Sequence, residues 1–176
     1  MRDISVKNGL TAIIREANPE DAPQILRYIE QVSGESEFLS FGPGEFETTV
    51  EREREFIEST QNKDNALIIL VEFNSEIIGM LNFSGGTRTR TSHRGEFGIS
   101  VAKKYWELGI ATAMLEYLIK WAREHKIAKI DLMVREDNER AIKLYEKFGF
   151  KHEGRISRYF KLDRKFYGVI YMGLEL

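Results

Sequence analysis

The sequence predicts a single mixed α/β domain, with a central twisted sheet of about seven strands and about four helices on its two faces. Three observations lead there. Apolar runs of strand length alternate with amphipathic stretches of helix length. Some strands are joined by short turns, which makes them antiparallel, and others through one helix, which makes them parallel. A length of 176 residues suits one ordinary domain over residues 1–176 and is short for two.

The elements follow in chain order. Leu10 to Ile14 is a short apolar run that reads as a first strand. Asn18-Pro19 opens a helix whose Ala22, Ile25, Leu26, Ile29 and Val32 fall at helical spacing, and Gly34 ends the run. Residues 34–47, with Gly42-Pro43-Gly44, read as a loop. A second helix follows over about 46–60, its ERERE stretch a solvated face. Residues 66–73 and 77–83 form a hairpin around Asn74-Ser75-Glu76. A polar loop over 85–95 leads to a strand at 96–101. Leu108 to Lys126 is a helix with the stripe Ile110, Ala113, Met114, Tyr117, Leu118 and Trp121. Residues 128–134 are a strand, Asn138 to Phe148 a helix closed by Gly149, and strands near 150–160 and 166–174 finish the chain.

Composition excludes several function classes. Hydrophobic residues at 42% and charged residues at 31% give a soluble globular balance and argue against disorder. The absence of cysteine removes disulfides, thiolate metal sites and a cysteine nucleophile, and fits a reducing, cytoplasmic setting. A net charge of -2 and a pI near 6.0 provide no basic field for nucleic acid. The start MRDISVKNG lacks the apolar core of a signal peptide, and no apolar run approaches the roughly 20 residues of a membrane span. No metal, nucleic acid or membrane is therefore expected.

Two stretches carry chemistry. In EFGISVAKKYWELGIATAMLEYL a strand runs through a short loop into a helix opening near Gly109. The first turn of a helix has backbone N–H groups without internal partners, at the positive end of its dipole, so a phosphate is held there without basic side chains. Gly109 lets the backbone approach a ligand, and Ala111 keeps the next turn small. A plain loop-to-helix junction explains this stretch equally well by itself. The P-loop and dinucleotide fingerprints are absent. In VREDNERAIKLYEKFGF, Asn138 caps a helix on which Asn138, Ala141 and Tyr145 nearly align. A tyrosine among apolar residues usually packs, with its hydroxyl bonded locally.

Together, in this order and at this separation, the two stretches resemble the GNAT superfamily of acyl-CoA N-acyltransferases. The family's coenzyme loop reads Q/R-x-x-G-x-G/A, against Trp106-Glu107-Leu108-Gly109-Ile110-Ala111 here. Its later helix reads N-x-x-A-x-x-L-Y-x-x-x-G-F, met by Asn138, Ala141, Leu144, Tyr145, Gly149 and Phe150. The resemblance runs from about residue 10 to 174 and is strongest over 94–150. Trp106 departs from the family's Gln or Arg and removes a polar side chain from the loop. Tyr105-Trp106 and the stretch RTSHRGEFGI resemble bacterial ribosomal-protein, polyamine and amino-acid acetyltransferases.

The resemblance implies a splayed sheet, acetyl-CoA as donor, and direct attack of a neutral amine on the thioester. It sets Ile99, Ser100 and Val101 beside the pantetheine arm. Trp106, Glu107, Leu108, Gly109, Ile110, Ala111 and Thr112 form the pyrophosphate loop, and Asn138, Ala141 and Tyr145 complete the coenzyme site. Glu96 is the expected base, the alternative being a strand-end surface residue. His93 is a second candidate, its loop position equally that of an exposed histidine. Tyr145 is placed to protonate or hydrogen-bond the leaving thiolate.

The acceptor that the resemblance implies is a small primary amine or a protein N-terminus. Glu35, Glu37, Phe38, Phe41, Asn82 and His93 are its candidate contacts. Acidic residues in the 34–47 loop, Glu45 and Glu47 among them, suit a polyamine; Arg88, Arg90 and Arg94 suit a substrate carboxylate, and both sets fit solvated loops as well. A homodimer is compatible with the family. The rival reading keeps the fold without turnover, as a coenzyme-binding sensor or interaction module.

Overall fold

The computed structural model describes residues 2–5, 7–9 and 11–176, with Asn8 described by its backbone alone. Its strands are β1 (Arg2–Ser5), β2 (Thr11–Glu16), β3 (Ala66–Phe73), β4 (Glu76–Gly85), β5 (Arg94–Val101), β6 (Lys129–Arg135), β7 (Lys151–Leu162) and β8 (Lys165–Glu175). Its helices are α1 (Ala22–Glu35), α2 (Val50–Gln61), α3 (Ile110–Glu124) and α4 (Glu139–Lys147). Among the described residues the strands form one sheet in the order β1-β2-β3-β4-β5-β6-β8-β7. All neighbours are antiparallel except β5 and β6, the pair joined through α3.

The sheet has eight strands rather than about seven. The extra one, β1, buries only Ile4, so it is too short and too polar to give an alternating signal. Leu10, expected to open the next strand, lies outside the described residues; that strand starts at Thr11 and runs on to Glu16. The β3–β4 hairpin turns on Asn74 and Ser75, both at positive φ (51° and 63°), as a two-residue turn between right-twisted strands requires.

Helix α1 does not stop at Gly34 but continues to Glu35, whose carboxylate accepts from the Gln31 amide (2.8 Å) and the Lys103 backbone N–H (2.7 Å). Helix α2 starts at Val50, later than expected, where Thr49 Oγ1 accepts from the Arg52 N–H. Its ERERE stretch is not wholly a solvated face. Glu53, Ile57 and Thr60 fall on one helical stripe, and all three are buried.

Two apolar layers flank the sheet. Alternate residues of β3 divide between them: Leu67, Ile69 and Val71 pack under α3 and α4, while Ile68 and Leu70 pack under α1 and α2. The first layer includes Leu81, Phe83, Phe97, Met114, Leu118 and Tyr145, the second Ile25, Tyr28, Val32 and Ile57.

Candidate active site

Strands β5 and β6 pair at three positions only: Arg94 with Lys129, Gly95 with Ile130 and Glu96 with Asp131. Each then continues with its other neighbour, β5 with β4 to Val101 and β6 with β8 to Arg135. The sheet therefore parts beyond Glu96. A cleft of about 1360 Å³ follows the parting, lined from both faces.

On the α3/α4 side, Glu107 (φ 65°) and Gly109 (φ 91°) fold the loop tightly before α3. The first bond closing the α3 turn runs from the Ala113 N–H to the Gly109 carbonyl, so Ile110, Ala111 and Thr112 start the helix without intrahelical acceptors. No atom lies within 4 Å of where a Gly109 Cβ would stand. The loop is pinned from outside: Lys7 N–H donates to the Leu108 carbonyl (3.0 Å), and the Trp106 indole Nε1–H to the Val101 carbonyl (2.7 Å). The Arg140 guanidinium lies over the Trp106 ring at 4.3 Å, and both line the cleft. Positive charge thus returns beside the loop from α4, although Trp106 itself carries none.

Asn138 Oδ1 caps α4 by accepting from the Ala141 N–H (3.2 Å), leaving its amide NH₂ to face the cleft. Tyr145 is 7% exposed, its ring held edge-on by Phe97 at 5.8 Å and packed against Phe150 at 5.9 Å. Its hydroxyl has no partner among the described residues, and no buried side-chain oxygen is sealed off without one. The hydroxyl therefore opens onto the cleft that Tyr145 lines. Burial pushes its pKa up, so it stays protonated at neutral pH.

On the α1/α2 side, cross-strand pairs Met80–Ser100, Asn82–Gly98 and Ser84–Glu96 share one face of the sheet. Glu96 is exposed into the cleft. Partial desolvation, and then the neighbouring Asp131 charge, raise its carboxyl above the usual range, against the opposing pull of Arg94. Asp131 is committed to Arg94 (2.6 Å) and Lys129 (3.0 Å). Ser100 Oγ is bonded to the buried Tyr28 hydroxyl at 3.0 Å, which ties β5 to α1.

The loop after α1 forms the outer wall. Arg135, 5% exposed at the end of β6, lies between the Phe38 and Tyr167 rings (4.4 and 4.3 Å). It donates to both carboxylate oxygens of Asp137 and to the Glu37 carbonyl (2.7 Å). Sequence reasoning missed Arg135, although an arginine closing a core strand three residues before the α4 cap was visible.

Of the residues singled out from sequence, Glu96, Ile99, Ser100, Val101, Trp106, Glu107, Gly109, Ile110, Ala111, Thr112, Asn138, Ala141, Tyr145, Phe38, Phe41 and Asn82 all line the cleft. Leu108, Glu35, Glu37 and His93 do not. Leu108 turns into the α3 layer, Glu35 is spent on the Lys103 N–H, and Glu37 offers its carbonyl to Arg135. His93 sits in the loop before β5, where its carbonyl accepts from Ala128. Arg88 and Arg90 are exposed away from the cleft, and Arg94 is paired with Asp131. The carboxylate that no motif flagged is Glu53, 4% exposed and on the cleft wall.

A sequence model of the acetyltransferase (GNAT) family matches residues 33–150, more than half of the chain. The chain belongs to this family. Acetyl-CoA is the family's acyl donor. An acetyltransferase of the GNAT family from Streptococcus pneumoniae superposes with a TM-score of 0.91 at 32% identity, over 94% of this chain and 99% of that one. The L-amino acid N-acetyltransferase AaaT of Escherichia coli is 33% identical over 101 residues, 55% of this chain; the match spans 60% of that protein's length. The protein yncA of Salmonella typhimurium, solved with its cofactor acetyl-CoA, shares the fold at 16% identity and a TM-score of 0.81, over 93% of each chain.

Proposed function

We propose that this GNAT chain is an acetyl-CoA-dependent N-acetyltransferase whose acceptor is a primary amine, either a small molecule such as a polyamine or amino acid, or a protein N-terminus. The observation that carries this reading is the single opening between β5 and β6. It connects an amide cradle and an unbonded tyrosine hydroxyl on one face with a carboxylate on the other. The donor fits: there is free space where a Gly109 Cβ would stand, unpaired amides open α3, and Lys7 and Arg140 add positive charge to the same cleft.

When bound, acetyl-CoA supplies a thioester whose carbonyl carbon takes a new C–N bond as its C–S bond breaks. The amides of Ile110, Ala111 and Thr112 would hold the diphosphate. The Asn138 amide and the unpaired edge of β5 beyond Glu96 orient the pantetheine arm. A free alkylamine has a pKa of about 10 and arrives as ammonium, so it must first lose a proton. Glu96 accepts that proton, directly or through water. Its raised pKa makes it a better acceptor than an ordinary surface carboxylate. The Tyr145 hydroxyl donates to the departing sulfur.

Release of free thiol from acetyl-CoA, measured across polyamines, amino acids, aminoglycosides and N-terminal peptides, tests this. Amine-dependent release is expected. Binding of acetyl-CoA with no release above the amine-free rate for any acceptor would instead make the chain a coenzyme sensor.

A further inference from the structure

Among the described residues, Glu53 is the one carboxylate lining the α1/α2 half of the cleft that the proposed mechanism leaves unused. It sits in the first turn of α2, 4% exposed, with no hydrogen bond or ion pair among the described residues. No buried side-chain oxygen is sealed without a partner, so its carboxyl oxygens open into the cleft that it lines. Burial alone raises its pKa, with no neighbouring charge contributing. The wall of this half combines the apolar Ile29, Val32, Phe41 and Met80 with the polar Arg52, Asn82 and Ser84.

Of the other charges on this side, Arg52 is exposed at the cleft edge and makes no ion pair with Glu53, and the rest have partners. Asp131 is held by Arg94 and Lys129, and Arg135 by Asp137. Glu35 accepts from the Lys103 N–H. A buried carboxylate without a counter-charge is costly, and a cation restores the balance. No cation of the described protein does so here, whereas Glu96, on the same side, serves the reacting amine.

We infer that Glu53 anchors a second ammonium group of the acceptor, so that the acceptor is a linear diamine or polyamine. An α-amino acid such as alanine, like a simple monoamine, brings one ammonium group and would leave Glu53 unmatched. The inference rests on the acetyl-transfer reading and narrows it to one substrate class.

Thiol release is measured for putrescine, butylamine and alanine, with the wild type and Glu53→Gln. A charged hydrogen bond of this kind predicts a kcat/KM for putrescine roughly tenfold or more above butylamine in the wild type. In Glu53→Gln the putrescine KM rises about tenfold and its advantage over butylamine falls below roughly threefold, while the KM for acetyl-CoA holds. An unchanged putrescine KM in Glu53→Gln, or a wild-type preference for alanine, overturns the inference and leaves acetyl transfer standing. If no amine releases thiol, the acetyl-transfer reading fails, and calorimetry with putrescine reads the anchor alone. Saturable binding lost in Glu53→Gln then supports it; equal binding, or none, overturns it.

Discussion

Glu96 and Asp131 form the last rung of the parallel ladder between β5 and β6, and the sheet opens immediately beyond them. The rung puts two carboxylates side by side, and Arg94 and Lys129 neutralise one of them. Glu96 is left facing the opening with a raised pKa. A base is thus positioned by the same pairing that ends the sheet's continuity.

That pairing predicts the pH profile. Glu96 takes a proton only when ionised, so wild-type kcat/KM should fall with decreasing pH on a limb above the ordinary carboxylate range. Glu96→Gln should lower kcat by about a hundredfold or more at neutral pH, the usual share of a positioned base. The deficit should shrink as pH approaches the amine's own pKa, about 10. Steady-state rates over pH check this; an unaltered profile removes Glu96 from the proton path.

Tyr145→Phe removes a hydroxyl that bonds to none of the described residues, so the fold and melting temperature should hold. Activity should not: kcat should fall by roughly tenfold or more while the dissociation constant of acetyl-CoA changes by less than about threefold. Equal activity would reduce Tyr145 to a packing residue between Phe97 and Phe150.

Gly109→Val should fold with a modest loss, about 1–2 kcal/mol for a side chain at φ 91°. Its Cβ enters the empty space before α3. Acetyl-CoA affinity by calorimetry should drop by more than about tenfold. Normal affinity would contradict the cradle.

Glu53 predicts a pH dependence of stability. Its pKa is raised in the folded state, so the fold holds that proton more tightly than the unfolded chain does. This contribution is fully present below the unfolded pKa and is lost as pH rises through the folded one. The ligand-free wild type should therefore lose stability between mildly acidic and neutral pH, and Glu53→Gln should lose less. Thermal melts of both proteins across that range check the sign.

The helices and their caps were legible because their signals are local. Asn138 caps α4 as its position foretells, and of the α3 stripe Ile110, Met114, Leu118 and Trp121 are buried while Ala113 and Tyr117 are half-buried. The parting was reached only through a family resemblance, because it depends on the register of β5 against β6 across the whole of α3. Glu53 was hidden for a different reason. Charge content marked ERERE as solvated, yet the same 3.6-residue period placed Glu53 in line with Ile57 and Thr60 on the inner face. Where a charged residue falls on an apolar stripe, the stripe decides its direction and the charge then needs a use. The loop glutamates do not line the cleft, for the converse reason: Glu35 is taken by the backbone of Lys103 and Glu45 by that of Gly42.

The most direct test is a crystal structure with acetyl-CoA bound. The account predicts the diphosphate on the amides of Ile110–Thr112, the arm along β5 past Glu96, and the thioester sulfur within hydrogen-bonding reach of the Tyr145 hydroxyl. A coenzyme bound outside the opening between β5 and β6, or with its sulfur remote from Tyr145, would contradict it.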